Sequence, residues 1–316
     1  MEPKPFFTGY LPEADGHQIY YEQYGNIKSP AILILHGGPG SKSKPRHIKP
    51  FDLNQFHVVT FHQRGCGKSL PLASLEHNTT LDLLKDIERL RKHLQINQWF
   101  VSGGSWGATL ALIYAENSPT VVTGLLLSSI FLARQADLAW SFTQAGGVDH
   151  LFPDLWADRV NFLSQYHTSP QNVAHDLLLE INSSPLEKVQ QIVAGIANWE
   201  GNLISAQSDL SFLLPEDVDE DITASVKISL HYEANRFWLK NNEILANIQK
   251  IQHIPTIIAH GRHDVLCPAN QAWELHTLLP SSELLFLPTS NHHFTADGLV
   301  AQRYAYRYFL QKVNAQ

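Results

Sequence analysis

The sequence predicts an α/β fold in which a mostly parallel central sheet, flanked by helices, is interrupted by a helical insertion. Three observations carry this. Short apolar runs at Ala31–Leu35, His57–Phe61 and Val121–Leu127 read as strands buried on both faces, which is the habit of parallel sheets. They alternate with helix-like stretches, as βαβ units do. From about Arg134 to Lys250 the chain becomes more polar and richer in Trp and loses its apolar strand runs, which resume from Ile254.

Taken in order, Phe6–Pro12 and Gln18–Tyr24 flank Asp15-Gly16, a hairpin signal. Thr80–Leu94 places Leu84, Ile87, Leu90 and Leu94 at helical spacing behind a Thr79/Thr80 cap, which predicts an amphipathic crossover helix. A strand ending at Val101 precedes a helix from Trp106 to about Asn117, stopped near Pro119. Within the insertion, helices are predicted at Leu138–Gln144, Leu155–Tyr166, Asn172–Ile181, Leu186–Ile196 and Ala224–Leu239. The strand Pro255–Ala259, a helix Pro268–Leu279, a strand Glu283–Leu287 and a terminal helix from about Leu299 complete the sheet layer. The expected division is a core of residues 1–133 and 251–316 with a helical cap at 134–250.

Composition narrows the function classes. With 44% apolar and 17% charged residues in 316, the chain is globular in composition. No apolar run approaches the roughly 20 residues that span a bilayer, and Met1–Pro5 has no signal-peptide core. The expected location is cytoplasmic. Cys66 and Cys267 are too few for a disulfide framework. The net charge of −7, with no Lys/Arg-rich run, argues against nucleic acid and anionic membranes as partners.

The chemistry gathers at Gly103-x-Ser105-x-Gly107. This is the pattern of a turn that throws a serine outward between a strand and a helix. Five residues can match by chance, so the surroundings decide. Serine needs a base, itself oriented by a carboxylate, and on a parallel sheet such groups collect beyond the carboxyl ends of strands. Asp264 follows one predicted strand, and His292 and His293 follow another. Spacing alone does not separate the two histidines, and Asp264 also has an ordinary reading as a helix cap. The order Ser, Asp, His is that of the α/β-hydrolase fold. Oxyanion donors are expected from the Trp106 backbone N–H and from the loop His36-Gly37-Gly38-Pro39-Gly40. His260, His263 and Asp264 could suggest a metal cluster, but no metal-ligand spacing accompanies them. No metal is expected.

His36-Gly-Gly-Pro-Gly40, Gln63-Arg-Gly-Cys-Gly-Lys-Ser69, Gly103-Gly-Ser-Trp-Gly107 and Gly261-Arg-His-Asp264 together resemble the prolyl iminopeptidase family of α/β-hydrolase serine peptidases, over nearly the whole chain. The resemblance implies release of an N-terminal residue, preferentially proline, from peptides with a free N-terminus, without a cofactor. It implies Ser105 as nucleophile, Asp264 as acid, and His292 as base because the family's histidine stands in a Gly-His-like turn, here Asn291-His292. Gly38 and Trp106 would donate to the oxyanion. Glu200 in Asn198-Trp-Glu-Gly201 and, more loosely, Glu233 in Tyr232-Glu-Ala-Asn-Arg-Phe237 would bind the substrate amine. Gly37, Trp106 as an aromatic wall, and Cys267 as a pocket thiol would complete the substrate site. One departure is His62, where the family usually has Asp before Gln-Arg-Gly. Two competing readings follow from the same residues: an esterase or amidase on this fold, which would have no use for an amine-binding pair, and a catalytically silent ligand-binding protein.

Overall fold

The computed structural model describes residues 2–166, 168, 172–206 and 213–314. Eight strands form one sheet: β1 (Phe7–Tyr10), β2 (Tyr20–Gly25), β3 (Ala31–Leu35), β4 (His57–Phe61), β5 (Trp99–Ser105), β6 (Val122–Ile130), β7 (Thr256–Gly261) and β8 (Ser282–Leu287). Their order is β1-β2-β4-β3-β5-β6-β7-β8. β1, β2 and β4 pair antiparallel, and every pairing from β4 onward is parallel. The apolar runs are therefore interior because the sheet is covered on both faces. At the hairpin Asp15 and Gly16 both have positive φ, 52° and 76°, the backbone that a two-residue turn between antiparallel segments requires.

The helices of the sheet layer are α1 (Pro45–Ile48), α2 (Thr80–His93) and α3 (Trp106–Asn117) before β6, and α11 (Asn270–Leu278) and α12 (Ala296–Asn314) after β7. Thr79 caps α2 reciprocally with Asp82, which satisfies two N–H groups that the first turn leaves without partners. α3 is apolar all round and buried from Trp106 to Glu116, the expected state of a helix with no solvent face. One core contains Leu33, Val101, Leu110 and Ile258, and the other face is closed by Ile34, Phe100, Tyr306 and Phe309.

Between β6 and β7 lie α4 (Gln135–Phe142), α5 (Val148–Leu151), α6 (Pro153–Leu163), α7 (Val173–Ser183), α8 (Leu186–Ser205), α9 (Glu220–Ala234) and α10 (Glu243–Asn247). They have an apolar centre of their own, with Leu177, Ile192, Val193 and Leu230. Two helices depart furthest from the sequence expectation. α8 runs on to Ser205, since Trp199 and Leu203 continue its buried face. The stretch expected as one helix to Leu239 starts earlier, capped by Asp219, and stops at Ala234. Arg236, Phe237 and Trp238 follow with positive φ of 50–55°, which drives the Phe237 ring into the core beside Trp106. Packing of one aromatic side chain has overridden helical propensity there.

Candidate active site

Ser105 closes β5 and opens α3 with φ 58° and ψ −128°, a conformation that costs a residue with a Cβ about 1–3 kcal/mol. The turn is tight enough that a Cβ on Gly103 would meet the Gly107 carbonyl oxygen at 2.1 Å, and one on Gly107 would meet Leu35 O at 2.3 Å. The two glycines are thus required by close approach of β5, α3 and the end of β3. The next N–H, that of Trp106, is the first of α3 and lacks an intrahelical acceptor.

The loop after β3 lies directly against this turn. A Cβ on Gly37 would come within 3.5 Å of Ser105 Cβ. Gln63 braces the loop: its Nε2 donates to His36 O at 3.0 Å, its backbone N–H donates to His36 Nε2 at 3.1 Å, and its Oε1 accepts from Trp106 Nε1 at 2.8 Å. With Nε2 accepting, His36 Nδ1 is the protonated nitrogen and donates to Gly37 O at 2.9 Å. Burial lowers the His36 pKa to about 3, which keeps the ring neutral in that role. One side chain therefore ties the strand-end loop to the residue after Ser105, a function that sequence reading did not give to Gln63.

Asp264 follows β7 and is buried. Its Oδ2 lies 2.9 Å and its Oδ1 3.1 Å from His292 Nδ1, and the Cys267 N–H donates to Oδ1 at 2.9 Å. The loop 290–294 after β8 delivers His292 to Asp264, while the exposed His293 uses its backbone N–H on Asn291 Oδ1. Geometry thus distinguishes the two histidines where spacing could not. His260 does not join them as a metal ligand: Nδ1 accepts from Ile130 N–H and Nε2 faces Cys267 O at 2.9 Å. His263 points to the surface. Asp264, Cys267 and His292 are the one cluster of metal-ligating atoms among the described residues. Two of the three are already hydrogen-bonded to each other, and burial pushes the Cys267 thiol well above its usual range.

These groups open on a cavity of about 760 Å³ lined by Gly37, Gly38, Ser105, Cys267 and His292. Glu200 from α8 and Glu233 from α9 line the same cavity. Both carboxyls are pushed up by burial, and Glu233 further by Glu200 beside it. Arg159 from α6 counters this and draws both down. Its guanidinium sits 4.8 Å from the Trp199 ring and 5.3 Å from that of Phe142, and its Nε has no partner among the described residues. Nothing in the sequence marked Arg159, because its place depends on how α6 and α8 pack.

Trp106 corrects an expectation. Its ring is fully buried and absent from the cavity wall; it packs on Tyr232 and Phe237 and donates to Gln63. Phe131, Phe142 and Phe237 line the cavity instead, as do Phe294 and Tyr306. His62 accepts the Lys68 N–H at Nδ1, 2.9 Å away, and the neighbouring Arg64 pairs with Asp86 and Asp15 rather than with residue 62. The departure at His62 leaves the Arg64 ion pairs intact.

Comparison with known proteins identifies the family. The family model described as alpha/beta hydrolase fold matches residues 30–299. A proline iminopeptidase of Neisseria gonorrhoeae is 40% identical over 305 residues, covering 94% of this chain and 95% of its own. A probable proline iminopeptidase of Leptolyngbya boryana is 38% identical, covering 94% and 92%. Among experimental structures, a proline iminopeptidase-related protein from Thermus thermophilus superposes with a TM-score of 0.61 at 22% identity over 98% of both chains. An esterase from Exiguobacterium antarcticum reaches 0.63 at 20% identity, covering 96% and 100%; at these identities the structures speak to fold alone. The chain belongs to the α/β-hydrolase fold family and, within it, to the proline iminopeptidases.

Proposed function

We propose that the protein is a serine aminopeptidase that releases N-terminal residues, proline preferred, from short peptides through an acyl-enzyme. The observation that carries this is the meeting in one cavity of Ser105, His292 and the two carboxylates Glu200 and Glu233, with Asp264 hydrogen-bonded behind His292. The relatives named proline iminopeptidase support it.

Asp264 holds the His292 ring with Nδ1–H toward itself, which leaves Nε2 as the base. His292 takes the Ser105 Oγ proton as the oxygen attacks the carbonyl of the N-terminal residue. The oxyanion is met by the N–H groups of Gly38 and Trp106. The proton returns from His292 to the departing amine, and water then repeats the sequence on the ester. At the other end, Glu200, Glu233 and Arg159 carry a net charge of −1 when ionised, which a single ammonium neutralises. The ammonium of an N-terminal proline has two N–H donors, one for each carboxylate. A primary amine brings a third that needs another acceptor. Phe131, Phe142 and Phe237 offer the pyrrolidine ring an apolar wall.

In this reading residues 134–250 form a cap that holds the amine over a hydrolase core of 1–133 and 251–316, and the substrate is a peptide rather than nucleic acid or lipid. No helix among the described residues is long and apolar enough to cross a membrane, and both cysteines are free thiols, which suits a cytoplasmic setting.

A panel of aminoacyl-arylamides with free and acetylated amines tests the proposal. Prolyl-arylamide is turned over and acetyl-prolyl-arylamide is not. Equal turnover of both would identify a general amidase or esterase. A fluorophosphonate probe that fails to label Ser105 would identify a silent hydrolase-fold protein.

A further inference from the structure

The cavity has a second charged wall that the aminopeptidase reading does not use. The stretch 42–49 holds Lys42, Lys44, Arg46, His47 and Lys49 in a chain whose net charge is −7. Lys44, Arg46 and His47 line the same cavity as Ser105, Glu200 and Glu233. Lys42 is paired with Asp221 of α9, and Gly40 abuts the Ser225 backbone, so the segment is pinned beneath α9. Neither Lys44 nor Arg46 has a carboxylate partner among the described residues. Burial and the charges of Arg46 and Lys42 all disfavour the Lys44 ammonium. Crowded cations without an anion are costly, and an anion placed among them relieves that cost.

His292 and the adjacent His293 both line this cavity, and His293 feels the charges of Arg46 and Lys44. His47 adds a neutral donor: its Nδ1 accepts the Lys44 N–H at 3.1 Å, burial lowers its pKa to about 3, and the remaining proton sits on Nε2.

We propose that Lys44 and Arg46, with His47, form a subsite for the free α-carboxylate of the departing peptide, so that the preferred substrates are very short peptides with both termini free. This rests on the aminopeptidase reading, which fixes the amine at Glu200 and Glu233 and leaves the rest of the chain to run past Ser105 within the cavity that Lys44, Arg46 and His47 also line. Each residue of extended peptide adds roughly 3.3–3.6 Å, so the carboxylate can meet the cations at only one or two peptide lengths.

The test compares Pro-Gly, Pro-Gly-Gly and Pro-Gly-Gly-Gly as free acids and as C-terminal amides, each pair on the same protein preparation. At the best length the acid is favoured in kcat/KM by about five- to tenfold in low salt, in line with a partly exposed charge-assisted contact. The preference shrinks in 0.5 M NaCl. Arg46→Glu and Lys44→Glu each bring the acid-to-amide ratio to one or below. A ratio near one at every length in the wild-type protein would overturn the proposal, as would a preference that neither substitution nor salt alters. Failure to cleave any of these peptides or prolyl-arylamide would remove the aminopeptidase reading and this inference together. Cleavage without discrimination removes the inference alone.

Discussion

The sheet edge and the helical segment contribute to one cavity in different ways. Ser105 closes β5, and Asp264 and His292 follow β7 and β8, so the sheet's own register brings them together. Glu200, Glu233 and Arg159 sit within or at the end of α8, α9 and α6, and only the packing of three helices makes them neighbours. In the proposed function, reaction chemistry is tied to short-range backbone geometry, and selectivity to long-range packing, which can be rearranged without disturbing the reaction.

The largest effect that would break this division is at the sheet edge. Ser105→Ala lowers kcat/KM on prolyl-arylamide by about 10⁴-fold or more, while KD for a non-cleavable N-terminal prolyl ligand, measured by calorimetry, stays within about threefold. Loss of binding equal to loss of rate would mean that the two regions are not separable.

Glu233→Gln acts in the opposite sense. KM for free-amine substrates rises about 10- to 100-fold, with a much smaller change in kcat, because a buried charge contact is removed at the far end from the reacting bond. Stability moves the other way. The folded chain holds the Glu233 proton at pH values where an unfolded chain, with a carboxyl near 4.3, has released it. Ionisation therefore costs stability as pH rises from that value through the raised one. The Gln variant melts about 2–4 °C higher at pH 8 and nearly unchanged at pH 4.5, read by differential scanning calorimetry. For the same reason, wild-type KM for prolyl substrates falls as pH rises through the range in which Glu200 and Glu233 ionise.

The smallest effect sharpens the border. Gln63→Leu keeps most of the side-chain volume but frees the His36–Gly37 loop and the Trp106 indole, and lowers kcat about tenfold with KM little changed. A change confined to KM would place Gln63 with the selectivity groups instead.

The same division explains what could be read in the sequence. Gly103, Ser105 and Gly107, and the positions of Asp264 and His292, were legible because a strand end and a sharp turn leave local marks in residue type. The choice of His292 over His293 needed either the family resemblance or the observed pair with Asp264. The Trp106 ring was assigned to the cavity mouth because its backbone belongs to the site; burial of the ring is fixed by Tyr232 and Phe237, more than a hundred residues away. Arg159 left no mark at all. Lys44 and Arg46 do not make a basic run because Ser43 and Pro45 alternate with them.

The backbone at Ser105 has a consequence for any attempt to improve this protein by selection. A φ of 58° with ψ −128° suits glycine better than any residue with a side chain. In a library randomised at position 105 and screened by heat alone, glycine would rise to the top and serine would be lost. The thermal stability of the molecule is thus held below its ceiling by the side chain proposed as its nucleophile, and a screen that does not also demand turnover would select against it.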